Sequence, residues 1–284
     1  MDSVVAAASI ALMGVGFSLV YRTHRFFYFA HGGAFAAGAY VLYWVSSSTH
    51  FPIFGAALIA IAILALLGGV LDITVFRRLR SRNASPLVKF LASLGLFVMI
   101  ENLLSLLFGD SPLVINGASS FPIAFYGTRL NGTRIMIVVF AAITLMCVFI
   151  FMKFTRLGRA ARAVSIDSEL SAVLGIEANR VLTVMFSIGS ALAGLAGLLV
   201  GMETLLVPSM GFRALLLGVS AVVLGGENGT LFGLLAASLA IGMTQHLGAL
   251  LAPSRWQDSM VFLLVVLFLF IKPNGFFGIA SRPG

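Results

Sequence analysis

Long apolar runs tile this chain of 284 residues almost from end to end. A helix that crosses a bilayer needs about 20 mostly apolar residues, because each residue advances about 1.5 Å through about 30 Å of hydrocarbon. Lipid offers backbone amides no partners, so the runs are predicted to be helices rather than strands. They lie at 3–21, 26–45, 52–76, 87–109, 133–153, 181–202, 212–226, 229–251 and 258–272. The predicted fold class is all-α, a polytopic transmembrane bundle of about eight or nine helices in one domain spanning 1–284.

The composition excludes several other kinds of protein. Hydrophobic residues make up 60% of the chain and charged residues 10%, whereas a soluble domain has about 45–50% and about 25%. A soluble globule, a disordered chain and a disulfide scaffold are therefore excluded. Cys147 is the single cysteine, so no internal disulfide can form.

The basic residues predict the orientation of the chain in the membrane. The net charge of +8 would suggest a nucleic-acid partner in a soluble protein. Here the basic residues cluster at 77–89 and 153–180, and the positive-inside rule makes both segments cytoplasmic. Nine crossings with an external N-terminus leave four of the 18 basic residues outside, Arg129, Arg134, Arg213 and Arg255. The charge thus sets topology and predicts no nucleic-acid partner.

The short run 212–226 is open to two interpretations. It has 15 residues and is interrupted by glycine, so it could be a full span or a broken, re-entrant helix. A re-entrant segment would place the C-terminus on the other side of the membrane. The basic residues do not decide between these alternatives.

Small residues recur at spacing four in the run 181–202, at Gly189, Ala193, Gly197 and Gly201. Such a ridge lets another helix backbone approach closely. It predicts a tightly packed body of helices and does not by itself indicate transport.

Glycine-interrupted stretches and intramembrane polar residues suggest a translocation path. Glycines interrupt the segments 26–45 and 212–233, and such interruptions in two halves of a chain are typical of transporters with a midplane site. Polar groups at membrane depth are costly and often functional. A structural hydrogen bond is the alternative for His31, and an interhelical bond for Glu101. The path candidates are Tyr28, His31, Gly32, Gly33, Glu101, Gly225, Gly226, Glu227 and Asn228.

The motifs of common enzymes are missing from the sequence. It contains no HExxH, GxSxG or CxxC, and its four histidines are scattered. A zinc site needs clustered ligands, and an ATP-binding P-loop needs a Gly-Lys pair. Val88, Met152 and Ile271 precede the three lysines. The chain is predicted not to be an enzyme and not to bind a metal or cofactor. Any ATPase that drives it must be another chain.

The cytoplasmic segment 154–180 predicts a short amphipathic helix. Ser165 is a plausible N-cap, with acidic residues following in the first turn. Leu170, Val173 and Leu174 form an apolar face, and Gly175 can end the helix in the left-handed conformation. Such a helix suits a groove in a partner, although a position on the membrane surface is the alternative.

Three stretches resemble one family of permeases. Phe29-Ala30-His31-Gly32 with Gly38-Ala39-Tyr40 is similar to its N-terminal signature. The segment from Thr155 to Val181 is similar to its ATPase-coupling loop, and the pattern from Met210 to Gly278 to its C-terminal part. The family is that of branched-chain amino acid ABC transporter permeases, which also includes urea and short-chain amide permeases. The layout resembles the shorter, H-type subunit.

The resemblance implies several partners and roles. It implies a homo- or heterodimer of permeases in a bacterial inner membrane, two cytoplasmic ATPases that hold ATP and Mg, and an external solute-binding protein. The implied coupling residues are Arg159, Asp167, Glu169, Leu170, Val173, Leu174 and Gly175. The chain departs from the family at Tyr28, where Asn is usual, and at 227–229. Branched-chain amino acids are the expected solutes, and urea or short-chain amides are the alternatives. A passive channel is the alternative mechanism.

Overall fold

The structure is a computed structural model that describes residues 2–48, 53–115, 122–125, 128–226, 231–251, 256–272 and 275–276. The first half holds α1 (Asp2–His24), α2 (Ala30–Ser48), α3 (Ile53–Leu71), α4 (Arg77–Ser81) and α5 (Pro86–Phe108). A π-helical turn, Asp72–Phe76, joins α3 to α4. The second half holds α6 (Gly132–Phe154), α7 (Arg156–Ile166), α8 (Ser168–Val173), α9 (Ala178–Gly201), α10 (Met210–Gly225), α11 (Leu231–Leu251) and α12 (Gln257–Ile271).

The predicted helical bundle is confirmed. Every apolar run corresponds to a helix, and most ends agree to within a few residues. The second helix begins at Ala30 rather than 26, because the chain turns at Arg25 with a φ of 55°. Within the described residues, six helices are long and apolar enough to cross a membrane, namely Asp2–His24, Gly55–Ser81, Pro86–Phe108, Gly132–Phe154, Ala178–Gly201 and Leu231–Gly248. Two apolar helices are shorter, Met210–Gly225 and Gln257–Ile271.

A small β-hairpin lies between α5 and α6, in the segment predicted to be external. Strands β1 (Pro122–Phe125) and β2 (Thr128–Asn131) pair antiparallel, with Ile123 opposite Leu130. The apolar periodicity did not predict it, because the hairpin is not part of any long apolar run. It adds a short two-stranded element to the helical body.

Glycines mark the closest helix crossings in the centre of the bundle. A Cβ on Gly16 of α1 would lie 2.9 Å from the carbonyl oxygen of Gly189 in α9. A Cβ on Gly197 would overlap the carbonyl of Phe35 in α2, so the ridge predicted from the spacing of small residues lies between α1, α2 and α9. The ridge therefore packs the core, as its spacing predicted.

The helix α10 is continuous and lies alongside α12. Arg213 near its start donates to Asp258 at the start of α12, with Nη2 and Oδ1 2.8 Å apart. The amide of Phe276, just beyond α12, donates to the carbonyl of Leu224 near the end of α10 at 2.8 Å. These contacts make α10 and α12 parallel, with α11 returning between them. Sixteen residues make α10 a continuous helix of about 24 Å, which is shorter than the about 30 Å of hydrocarbon.

Candidate functional site

A cavity of about 530 Å³ lies at the end of the bundle that carries the N-terminus, and we name it the outer cavity. It opens between α1, α6, α9, α10 and α11. Its interior is apolar, with side chains that include Val5, Ile10, Met13, Phe35, Ile137 and Leu217. The topology inferred from the basic residues makes this end external. The outer cavity is therefore predicted to open to the outside of the membrane.

The rim of the outer cavity is ionic. Arg134 at the start of α6 pairs with Asp2 of α1 and with Glu203 just beyond α9, where Nε and Oε1 are 3.0 Å apart. Arg213 and Gln245 also line the cavity. The three paired residues tie together the ends of three helices. They place groups of both signs beside an apolar interior.

A second cavity of about 350 Å³ lies at the opposite ends of α1, α6, α10 and α11, beside α7, and we name it the inner cavity. Its apolar walls include Val15 and Leu19 of α1, Val148 of α6, Val222 of α10 and Leu234 of α11. Basic residues line it as well, namely Arg22, Lys153 and Arg162. The end with these residues is predicted to be cytoplasmic.

A narrow layer separates the two cavities along α1. Met13 lines the outer cavity and Val15 the inner one, with Gly14 between them. A Cβ on Gly14 would lie 3.2 Å from the carbonyl oxygen of Gly218 and 3.4 Å from a methyl carbon of Leu234. Direct contact between α1, α10 and α11 therefore separates the two cavities.

Most of the glycine and aromatic path candidates lie at contacts between helices. Tyr28 is fully buried, with its ring centroid 4.4 Å from that of Phe186. His31 is also fully buried, and its Nε2 lies 3.2 Å from the carbonyl oxygen of Met13. Gly32 faces the backbone of Gly211 in α10.

The remaining path candidates are placed as follows. Gly33 faces Ile100 of α5, and Gly225 faces the backbone of Leu234. Gly226 caps α10 with a φ of 93° and lines the inner cavity. Glu101 is half-buried on α5, and Glu227 and Asn228 lie outside the described residues. Of these candidates, Gly226 is the one that the structure places at a cavity.

Cysteines at Gly226 and Gly33 are expected to differ in reactivity. Gly226 lines the inner cavity, whereas a Gly33→Cys side chain would press against Ile100, 3.0 Å from the added Cβ. We expect a membrane-impermeant maleimide to label the first at least tenfold faster in inside-out vesicles, with Cys147 replaced by Ser in both chains. Equal labelling would contradict this placement of the two glycines.

The cytoplasmic segment forms two helices rather than one. Thr155 caps α7 through a hydrogen bond from the amide of Gly158 at 3.0 Å. Ala161 and Val164 pack on Val181 and Met185 of α9, and this packing continues α7 to residue 166. The predicted N-cap at Ser165 is therefore wrong, because Ser165 lies inside α7. Asp167 caps α8 instead and accepts from the amides of residues 169 and 170, each at 2.9 Å.

The predicted end of this helix at Gly175 is confirmed. Gly175 has a φ of 81°. Its amide donates to the carbonyl of Ala172 and the amide of Ile176 to that of Ser171, both at 3.0 Å. This pair of bonds is the Schellman arrangement that satisfies the last carbonyls of a helix.

The apolar face of α8 is exposed. Leu170 is 59% exposed, Val173 83% and Leu174 73%, and we name these three side chains the α8 patch. Glu169 and Arg159 are also exposed. Ser171 is the buried residue of α8. The guanidinium of Arg25 donates to the carbonyl of Ser165 at 2.7 Å, which joins α7 to the turn between α1 and α2.

A buried charge cluster near this segment was not predicted. Asp72 in the π-helical turn is fully buried and accepts two bonds from Arg80, at 2.6 and 3.0 Å. The hydroxyl of Thr183 lies 2.6 Å from Asp72, and Nε2 of His24 lies 3.3 Å from it. We name these four residues the Asp72 cluster. An acidic residue within an otherwise apolar run was the signal that could have revealed it.

Metal chemistry has no candidate site among the described residues. They contain no group of three or more His, Cys, Asp or Glu side chains that could hold an ion.

The described helices thus form a bundle with one cavity at each end. The family model for the permease component of the branched-chain amino acid transport system matches residues 1–270. The chain belongs to this family.

Three similar proteins cover nearly the whole permease. The high-affinity branched-chain amino acid transport system permease protein LivH of Salmonella typhimurium is 29% identical over 294 residues, covering 98% of this chain and 94% of its own. LivH of Escherichia coli K12 is 26% identical over 291 residues, with the same coverage. BraD of Pseudomonas aeruginosa, a permease protein of the same description, is 26% identical over 292 residues, again with the same coverage.

The family fixes the general role of this permease. It is a multi-pass membrane protein and a non-enzymatic transport subunit of a branched-chain amino acid transport system that works with other subunits. The resemblance found in the sequence is confirmed. The roles of its individual residues remain predictions.

Proposed function

We propose that this permease is the translocation subunit of an ATP-driven importer of amino acids with apolar side chains, branched-chain amino acids first among them. It works in a bacterial cytoplasmic membrane as a homo- or heterodimer. Two cytoplasmic ATPases hold the ATP and Mg, and an external binding protein delivers the solute. Family membership supports work with other subunits, and the names of the three relatives support branched-chain amino acids as solutes.

The observation that carries the proposed substrate is the chemistry of the outer cavity. A free amino acid has an ammonium group, a carboxylate and a side chain. The rim carries carboxylates at Asp2 and Glu203 and a guanidinium at Arg134, which pair with one another and would exchange those pairs for the charged ends of a solute. The interior is an apolar chamber of about 530 Å³. Urea has no pair of opposite charges to match the rim and no apolar side chain to fill the chamber. The cavity therefore favours amino acids over urea.

The two cavities supply a route for alternating access. The contact of Gly14 with Gly218 and Leu234 separates the outer cavity from the inner cavity. Separation of α1 from α10 and α11 would join the cavities, while the pairs of Arg134 hold the outer ends of α1, α6 and α9 together. ATP binding would shift the population between states that open one cavity or the other.

The α8 patch is the surface from which the ATPases would act. Apolar side chains on a short helix that the rest of the chain leaves exposed suit a groove in a partner. α8 leads directly into α9, and Glu203 just beyond the end of α9 pairs with Arg134. A movement of α8 can thus reach the rim of the outer cavity through one helix.

Substitution of Arg134 tests the proposed substrate. Loss of a charge-assisted hydrogen bond costs about 1.5–3 kcal/mol, or roughly tenfold to a hundredfold in affinity. We expect Arg134→Gln to lower leucine uptake at least tenfold and Arg134→Lys to lower it less, with equal amounts in the membrane. Arg82→Gln, an exposed cytoplasmic arginine, is the matched control and should transport normally.

Competition assays separate the proposed substrate from the alternative. Isoleucine and valine are expected to compete with leucine, and excess urea is not. Uptake of urea that leucine does not inhibit would instead identify a urea permease. Normal leucine uptake by Arg134→Gln would contradict the assignment of the outer cavity.

A further inference from the structure

An open groove of about 610 Å³ lies at the cytoplasmic end of α3, away from both cavities. It is bounded by α4, the π-helical turn and the first turn of α9. Its lining residues are Ile73, Arg77, Arg78, Arg80, Ser81 and Asn179, and we name it the arginine groove.

The arginine groove carries uncompensated positive charge. Arg80 is neutralised by the buried Asp72, with which it forms two hydrogen bonds. Arg77 and Arg78 are exposed and have no acidic partner within 4 Å among the described residues. Two guanidinium groups therefore face the groove without a counter-charge from this part of the chain.

An apolar strip leads from the bilayer side of α3 to the groove. Leu66 is 70% exposed, Val70 52% and Ile73 49%, and these residues follow one another at helical spacing. Ile73 belongs both to the strip and to the lining of the groove. Hydrocarbon contact and positive charge are therefore continuous on one surface.

We propose that the arginine groove binds the phosphate of an anionic phospholipid, with an acyl chain along Leu66, Val70 and Ile73. Guanidinium groups form planar, charge-assisted bonds with phosphate oxygens, and basic residues beside a membrane attract anionic lipids. An acidic protein would satisfy the arginines but would leave the apolar strip unused. The strip is the reason that a lipid fits this surface better.

The groove lies where a bound lipid would join two parts of the cytoplasmic end. Arg77 and Arg78 belong to α4, whose Arg80 binds Asp72, and Asn179 belongs to the first turn of α9. Thr183, one turn farther along α9, also binds Asp72. A lipid in the groove therefore bridges α4 and α9 beside the Asp72 cluster.

Native mass spectrometry of the purified full-length chain tests the proposal without any transport assay. The probes are phosphatidylglycerol and phosphatidylcholine with identical acyl chains. We expect wild type to retain phosphatidylglycerol at least fivefold better. The variant Arg77→Gln/Arg78→Gln should lose that preference. The double variant Arg82→Gln/Arg156→Gln changes the net charge equally, at exposed arginines outside the groove, and should keep it.

Two further measurements complete the test, one with a lysine variant and one with free phosphate. Arg77→Lys/Arg78→Lys retains the charge and should retain an intermediate preference, which covers the case in which the Gln variant does not fold. Millimolar inorganic phosphate should not displace the lipid. Equal loss in the two Gln variants, no preference in wild type, or displacement by free phosphate would each overturn the proposal.

Discussion

Replacing Asp72 with alanine is expected to destabilise the permease by about 3–5 kcal/mol, the cost of leaving the partner of a buried ion pair uncompensated. Asp72 is fully buried and receives two bonds from Arg80 and one from Thr183. Its removal leaves the guanidinium of Arg80, which is largely shielded from solvent, without a counter-charge. The free energy of unfolding is measured with denaturant in mixed micelles. The yield of monodisperse protein is a second measure.

An exposed ion pair provides the matched control for Asp72. Asp258 binds Arg213 at 2.8 Å, but both side chains are substantially exposed, and such pairs contribute about 0–1 kcal/mol. Asp258→Ala should therefore change stability little. Asp72→Leu combined with Arg80→Met removes both charges and should recover part of the loss. Wild-type stability in Asp72→Ala would show that the cluster contributes nothing to the fold.

Polar substitutions in the α8 patch are expected to reduce uptake at least tenfold while leaving the permease folded. Val173→Ser and Leu174→Ser remove apolar surface that this chain itself leaves exposed, so little core packing is lost. Gly175→Val acts differently, because its φ of 81° is strained for a β-branched residue by about 1–2 kcal/mol. Each change should weaken the fit of α8 to an ATPase groove.

The informative measurement is solute uptake per ATP hydrolysed in the complete reconstituted complex. We expect hydrolysis to continue while uptake falls, which is uncoupling. Leu87→Ser is the control, since Leu87 is an equally exposed apolar residue at the cytoplasmic end of α5. A wild-type ratio in Leu174→Ser and Gly175→Val would mean that α8 does not transmit the movement.

Local sequence patterns predicted the helices and their packing well. Apolar runs of membrane length set the helix bounds, because no other structure satisfies the backbone in lipid. Spacing four predicted close approach of another helix at the Gly189–Gly201 ridge, and the structure shows that α1 and α2 are the helices that approach it. Gly175 was predictable because the left-handed conformation favours glycine.

Features that depend on distant residues were not predictable in the same way. The partners of Asp72 lie 8, 48 and 111 residues away in the sequence, so only the fold brings them together. Ser165 and Asp167 are both good N-caps, and the packing of α7 on α9 decided for Asp167. Gly32 and Gly33 fitted a broken helix, yet glycine also permits close approach, and the structure uses them for that purpose.

Uptake of radiolabelled leucine into proteoliposomes tests the proposed function most directly. The vesicles would contain this permease, its partner permease if one exists and the ATPases, with the binding protein outside and ATP inside. We predict accumulation against a gradient that requires ATP and is blocked by excess isoleucine. Equilibration without ATP would contradict an ATP-driven importer and identify a passive channel.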